Sequence, residues 1–155
     1  MIRRVARPGI AALALAIGCA TAGQRVSASV ETTSFAPEMG INLSEMTRLP
    51  SGVYIKDLTV GTGTVAAREM DITVRYVAFL TNGRQANGSL DAPPVPLHLT
   101  TTGVIRGWYD GIPGMKVGGM RRLIIPPDLG YGSRDHEAIP ANSVLVFDVI
   151  LVSAR

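Results

Sequence analysis

The chain has 155 residues, enough for one domain of about 100 residues with short appendages and too few for two. Its formal net charge is +3, but Arg3, Arg4 and Arg7 all precede the first acidic residue, Glu31; without them twelve basic residues face twelve acidic ones. The folded part has no basic surplus, so the charge gives no footing for nucleic-acid binding, which needs a basic stripe.

The first segment reads as an export signal, residues 1–22. Three arginines precede the apolar run 10–17, and small residues follow it. The run is far shorter than the roughly 20 residues that span a bilayer as a helix. A buried N-terminal helix is the weaker alternative. Two processing routes stay open. Ala20-Thr21-Ala22 has the small-x-small pattern of a cleavage site that would free Gly23. Leu15-Ala16-Ile17-Gly18-Cys19 resembles a bacterial lipoprotein signal, in which Cys19 would be acylated, although Ala16 stands where such signals prefer a larger aliphatic residue. Cys19 is the only cysteine, so a disulfide within the chain is impossible. A lipid at Cys19 would be the only membrane attachment, and either route predicts an exported protein of the periplasm or cell envelope.

Residues 23–49 are rich in Ser, Thr, Ala and Glu without a sustained apolar period, the composition of a linker or loosely docked N-terminal arm. Met39, Ile41, Leu43 and Met46 are available for docking. From Leu49 the pattern changes to strands. Residues 53–60 are β-branched and aromatic and stop at Gly61 and Gly63; residues 72–80 alternate and run into Asn82-Gly83, a tight hairpin turn. Residues 121–125 form a third strand, ended by Pro126-Pro127, and 144–152 a fourth, the most apolar and therefore central. Only 106–112 can hold a helix, which Pro113-Gly114 ends. One short helix among several strands predicts an α+β fold, an antiparallel sheet curled over that helix.

Most catalytic chemistries lack their residues. Two histidines, His98 and His136, and no cysteine in the folded part are too few for a common zinc site. Gly-x-Ser-x-Gly is absent, and Gly61-Thr62-Gly63 is a turn rather than a phosphate loop. No metal or cofactor is expected. The eight aromatic residues are the informative ones. The single tryptophan, Trp108, sits among glycines where the helix begins; it suits a core residue or the floor of a pocket, and a buried indole N–H calls for a partner.

Here the chain resembles the FKBP-type peptidyl-prolyl isomerases. The resemblance rests on Val104-Ile105-Arg106-Gly107-Trp108 with Gly114-Met115-Lys116-Val117-Gly118-Gly119. Ile125-Pro126-Pro127-Asp128 running into Gly130-Tyr131-Gly132 follows, then Ile139-Pro140-Ala141-Asn142-Ser143 and Leu145-Val146-Phe147-Asp148-Val149. Ser51-Gly52-Val53-Tyr54 and Val74-Arg75-Tyr76 match upstream. The set covers roughly residues 50–153 and implies an isomerase domain at 50–155, a half-barrel of antiparallel strands around one short helix. It further implies Trp108 as the floor for a proline ring and Tyr76, Val104, Ile105 and Phe147 as walls. The Ile105 N–H and Tyr131 phenol would donate to substrate carbonyls, and Ile139 would lie in a loop overhanging the site. The implied partners are proline-containing polypeptides, and the implied role is assistance to the folding of exported proteins.

The chain departs from the family at Ala86 and Asn87, where Phe-Asp is usual, and at Val95 or its neighbours, where another phenylalanine is usual. His136 stands near a histidine found in many members. These changes are expected to widen the pocket, remove its carboxylate and weaken turnover. That keeps a second reading open, a chaperone or adaptor module that holds proline segments without turnover; a structural domain with a vestigial cleft is a third.

Overall fold

Alternation with period 2 along two apolar strands gives the sheet two buried faces. In the strand Leu145–Ala154, Leu145, Phe147, Val149 and Leu151 enter one core cluster, while Val146 belongs to a second. In Met120–Ile125, Leu123 and Ile125 enter the first and Ile124 the second. The computed structural model describes residues 28–155. The export signal, the Ala22 cleavage site and Cys19 lie outside the described residues.

Seven strands form one antiparallel sheet: β1 Thr47–Arg48, β2 Tyr54–Thr59, β3 Asp71–Leu80, β4 Gln85–Ser89, β5 Val95–His98, β6 Met120–Ile125 and β7 Leu145–Ala154. Their order is β1-β2-β6-β7-β3-β4, with β5 also paired to β3. The most apolar strand, β7, is central, as its composition predicts. The α+β expectation holds: among the described residues the sheet carries one short α-helix, α1 Arg106–Gly111.

Two strands have little local signal. Gln85–Ser89 has no β-branched residue, and Val95–His98 contains Pro96. Both exist because β3 offers them its free edge: Val77, Ala78 and Phe79 pair with Gly88, Asn87 and Gln85, while Ile72 pairs with Leu97 and Val74 with Val95. Proline is tolerated on such an edge strand, where one side of the backbone needs no partner.

The helix lies close on β6 because its facing residues have no side chain. A Cβ on Gly111 would stand 2.1 Å from Leu123 Cδ2, and one on Gly107 would be equally unplaceable against Ile125. Gly107 and Gly111 are four residues apart, hence on one helix face. Arg121, buried on β6, fastens the helix end: its Nη1 donates to the carbonyls of Gly111 at 2.9 Å and Pro113 at 3.2 Å, and its Nε and Nη2 hold the Asp57 carboxylate.

Residues 28–46 are a layer over the other face of the sheet rather than a tether. Val30, only 2% exposed, joins Tyr54, Ile124, Val144 and Val146, with Phe35, Met39, Ile41, Leu43 and Met46 packed around them. Polar contacts fix the layer. The Met39 carbonyl accepts from Arg122, whose guanidinium also makes a two-pronged pair with Asp148, both contacts at 2.7 Å. Glu31 accepts from the Tyr54 phenol at 2.9 Å and from Arg48 at 3.1 Å.

Candidate active site

A pocket of about 350 Å³ opens between the helix, β3 and the loop after β6. Its floor is Trp108, 6% exposed at the start of α1. Tyr76 from β3 stands 5.0 Å from the indole centroid at 84°, and Phe147 from β7 stands 5.4 Å away at 80°. Near-perpendicular aromatic contacts of this kind are favourable and hold each ring in one orientation. Val104, Ile105 and Tyr131 complete the part of the wall read from the sequence.

Two hydrogen-bond donors flank this apolar floor. Ile105 caps the helix in extended backbone; its carbonyl accepts from Trp108 and Tyr109, while its own N–H meets no acceptor among the described residues. Burial, then the nearby Tyr76 and Glu137, raise the Tyr131 phenol above its ordinary pKa of 10, so it stays an O–H donor at neutral pH. The Tyr131 ring is stacked at 4.2 Å and 14° on His136, which itself does not line the pocket.

The structure brings together Tyr76, Val104, Ile105, Trp108, Tyr131 and Phe147. Ile139 is not among the lining residues; it is buried, 2% exposed, in the core cluster that also contains Trp108 and Phe147. The reason is its tight turn: His136 and Ile139 exchange two backbone hydrogen bonds, and the apolar side chain takes the inward course. Ala86 and Asn87 also lie outside the lining. Ala86 packs on the rim of the main core, and Asn87 turns its Oδ1 to the Gly88 N–H at 2.6 Å. The opposite rim is Val95 and Leu97 of β5, with Thr102 and Gly103 before the helix. Leu97, Thr102 and Gly103 carry no local signal for a pocket; only the pairing of β5 with β3 brings that rim to Tyr76. The Trp108 indole N–H, contrary to expectation, has no hydrogen-bond partner among the described residues.

This arrangement suits rotation about an amide bond, which needs no nucleophile. The barrier, about 18–20 kcal/mol, is amide resonance. In the twisted transition state that resonance is lost and the carbonyl oxygen carries less charge than in the planar amide. An apolar floor that strips water from the bond therefore disfavours the planar form more than the twisted one. Donors at Ile105 and Tyr131 would hold neighbouring carbonyls while the bond turns. A 10⁴-fold acceleration requires about 5.5 kcal/mol of such differential stabilisation.

Known proteins give the same reading. The family model described as FKBP-type peptidyl-prolyl cis-trans isomerase matches residues 63–152. FK506-binding protein 4 of Mycosarcoma maydis is 42% identical over 109 residues, 70% of this chain and 29% of that protein. A peptidyl-prolyl cis-trans isomerase of Saccharomyces cerevisiae is 42% identical over 107 residues, 69% of this chain and 26% of that protein. The chain thus spans less than a third of the length of these curated relatives. Among solved structures, FkpA from Escherichia coli superposes with a TM-score of 0.67 at 31% identity, covering 76% of this chain and 55% of that one. A peptidyl-prolyl cis-trans isomerase of Pseudomonas syringae pv. tomato gives a TM-score of 0.64 at 31% identity, covering 71% and 80%. With the family model spanning more than half of the chain and the motif residues gathered around one pocket, this chain belongs to the FKBP-type peptidyl-prolyl cis-trans isomerase family.

Proposed function

We propose that the chain is a working peptidyl-prolyl cis-trans isomerase that acts on Xaa-Pro bonds of exported proteins and assists their folding. The observation that carries the enzymatic part is the buried Trp108 flanked by Tyr76 and Phe147, with donors at Ile105 and Tyr131 beside it. A proline ring is apolar, compact and lacks an N–H, so it asks for such a floor and offers only carbonyls to bond.

The exported part of the proposal rests on residues 1–22, with three arginines, an apolar run and small residues in that order. Mass spectrometry of the protein recovered from a bacterial host decides the route. A mature chain starting at Gly23 means cleavage after Ala22; a diacylglycerol adduct on Cys19 means a lipid anchor in the cell envelope. An unprocessed chain starting at Met1 contradicts export.

One observation favours the second reading, a binding module without useful turnover. Strand β4 presents no carboxylate, and Asn87 spends its carbonyl oxygen on Gly88. Fluorescence reads binding independently of turnover, because Trp108 is the only tryptophan. Titration with a short Xaa-Pro peptide is expected to change its emission saturably. No change, with the protein folded, contradicts both readings.

A further inference from the structure

We infer that Arg84 is a positioning residue for the site: it straps the loop that carries Tyr131 and His136 to the turn after β3. The inference rests on the reading of Tyr131 as the donor to substrate.

The strap is a hydrogen bond between segments 54 residues apart, Arg84 Nη2 donating to the Ala138 carbonyl at 2.8 Å. Both of its ends are anchored. Ala138 lies inside the turn closed by His136 N–H to Ile139 carbonyl at 2.9 Å and Ile139 N–H to His136 carbonyl at 2.8 Å. Ile139 pins that turn to the core, and His136 lies flat on Tyr131. Holding the Ala138 carbonyl therefore restricts the one turn whose two ends are the core anchor and the ring against the phenol.

On the other side, the Arg84 backbone is fixed twice, its N–H donating to Asn82 Oδ1 at 3.0 Å and its carbonyl accepting from Leu80 at 2.9 Å. The N-terminal layer braces the same turn. The Ala36 N–H donates to the Thr81 carbonyl at 2.8 Å, and the Glu38 carboxylate lies against Gly83. A contiguous route thus runs from the layer through residues 81–84 to Ala138, His136 and Tyr131. Neither Arg84 nor Ala138 lines the pocket, so Arg84 acts through the loop rather than on substrate.

The test compares Arg84→Ala and Arg84→Lys, each with and without Tyr131→Phe, in the full chain. Lysine retains a donor on a flexible stem, so it restores the strap in part. Amide hydrogen exchange by NMR reads the loop, and peptide cis-trans exchange reads the site. Arg84→Ala is expected to speed exchange at His136 and Ile139 and to lower kcat/KM, each by about two- to fivefold, the scale of an exposed charged contact. Thermal stability stays unchanged, and Arg84→Lys recovers part of both effects. In the Tyr131→Phe background the loss in kcat/KM disappears, because both changes act on one group.

Unchanged amide exchange in Arg84→Ala overturns the strap. An equal loss in both backgrounds overturns the route through Tyr131. A parent without turnover, or with turnover indifferent to Tyr131→Phe, sinks the underlying reading of the site and the positioning role with it. The first two outcomes leave the isomerase reading standing, so the failures are distinguishable.

Discussion

Gly107 faces Ile125 so closely that a methyl group in place of its hydrogen would lie 2.5 Å from Cγ2 of the isoleucine. The next residue is Trp108, so this contact sets the depth of the pocket floor. Gly107→Ala is expected to destabilise the domain by about 1–3 kcal/mol through overpacking, even though alanine is the better helix former. Urea unfolding measures it. Truncating the neighbour, in Gly107→Ala/Ile125→Val, is expected to recover part of the loss; equal losses in the single and double variants contradict the packing argument.

Acid should release the N-terminal layer. The Ser29 hydroxyl, then the backbone, Tyr54 and Arg48, hold the Glu31 carboxyl down to about 2 from an ordinary 4.5. A carboxylate held low stabilises the fold fully above its unfolded pKa, and that contribution fades as pH falls from about 4.5 to 2. Thermal melts over that window are expected to drop less steeply in Glu31→Gln, which has lost the contribution already. Parallel pH curves for the two proteins contradict the role.

The sheet and helix were legible because β3 alternates, because burial on both faces makes β6 and β7 short near-continuous apolar runs, and because proline and glycine punctuate them. Strands β4 and β5 were not legible, since Gln85–Ser89 and Val95–His98 become strands only by pairing with β3. The docked layer was legible only in part: Met39, Ile41, Leu43 and Met46 dock as expected, but the burial of Val30 and Phe35 and the extent of the layer were not. Val30, Phe35, Met39, Ile41 and Leu43 follow no helix or strand period, and only the shape of the sheet selects their order. In the site, six of the expected residues converge because β3, β7, the start of α1 and the loop after β6 meet at one pocket. Ile139 is in the core cluster with Trp108 and Phe147 rather than in the lining, because a motif gives position in the chain and not the direction of a side chain.

Tyr131 gives the site a simple pH dependence. Burial raises its phenol above the ordinary value, so the donor persists wherever a free phenol is still protonated. Between about pH 8 and 9.5, kcat/KM is expected to be flat. Tyr131→Phe is expected to lower it by about three- to thirtyfold, the cost of one hydrogen bond to substrate. A loss of activity centred below pH 9.5 in the parent, absent in the Phe variant, contradicts this account of the phenol.

Restoring the family residues at Ala86 and Asn87, beside the pocket, asks how much was given up there. Ala86 is only partly buried on the rim of the core, so a phenylalanine gains part of its full burial energy. Ala86→Phe/Asn87→Asp is expected to raise kcat/KM by up to about tenfold. No gain over the parent means that Val95 and Leu97 already close the pocket adequately.

The central claim is that Trp108 floors a pocket that speeds Xaa-Pro rotation. Its most direct test is NMR exchange spectroscopy of short Xaa-Pro peptides with catalytic amounts of the chain, beside a Trp108→Ala variant checked for folding. The account predicts accelerated cis-trans exchange in the parent and its loss in the variant. A folded parent that leaves the exchange rate at its uncatalysed value contradicts the enzymatic reading and leaves the domain a binding module.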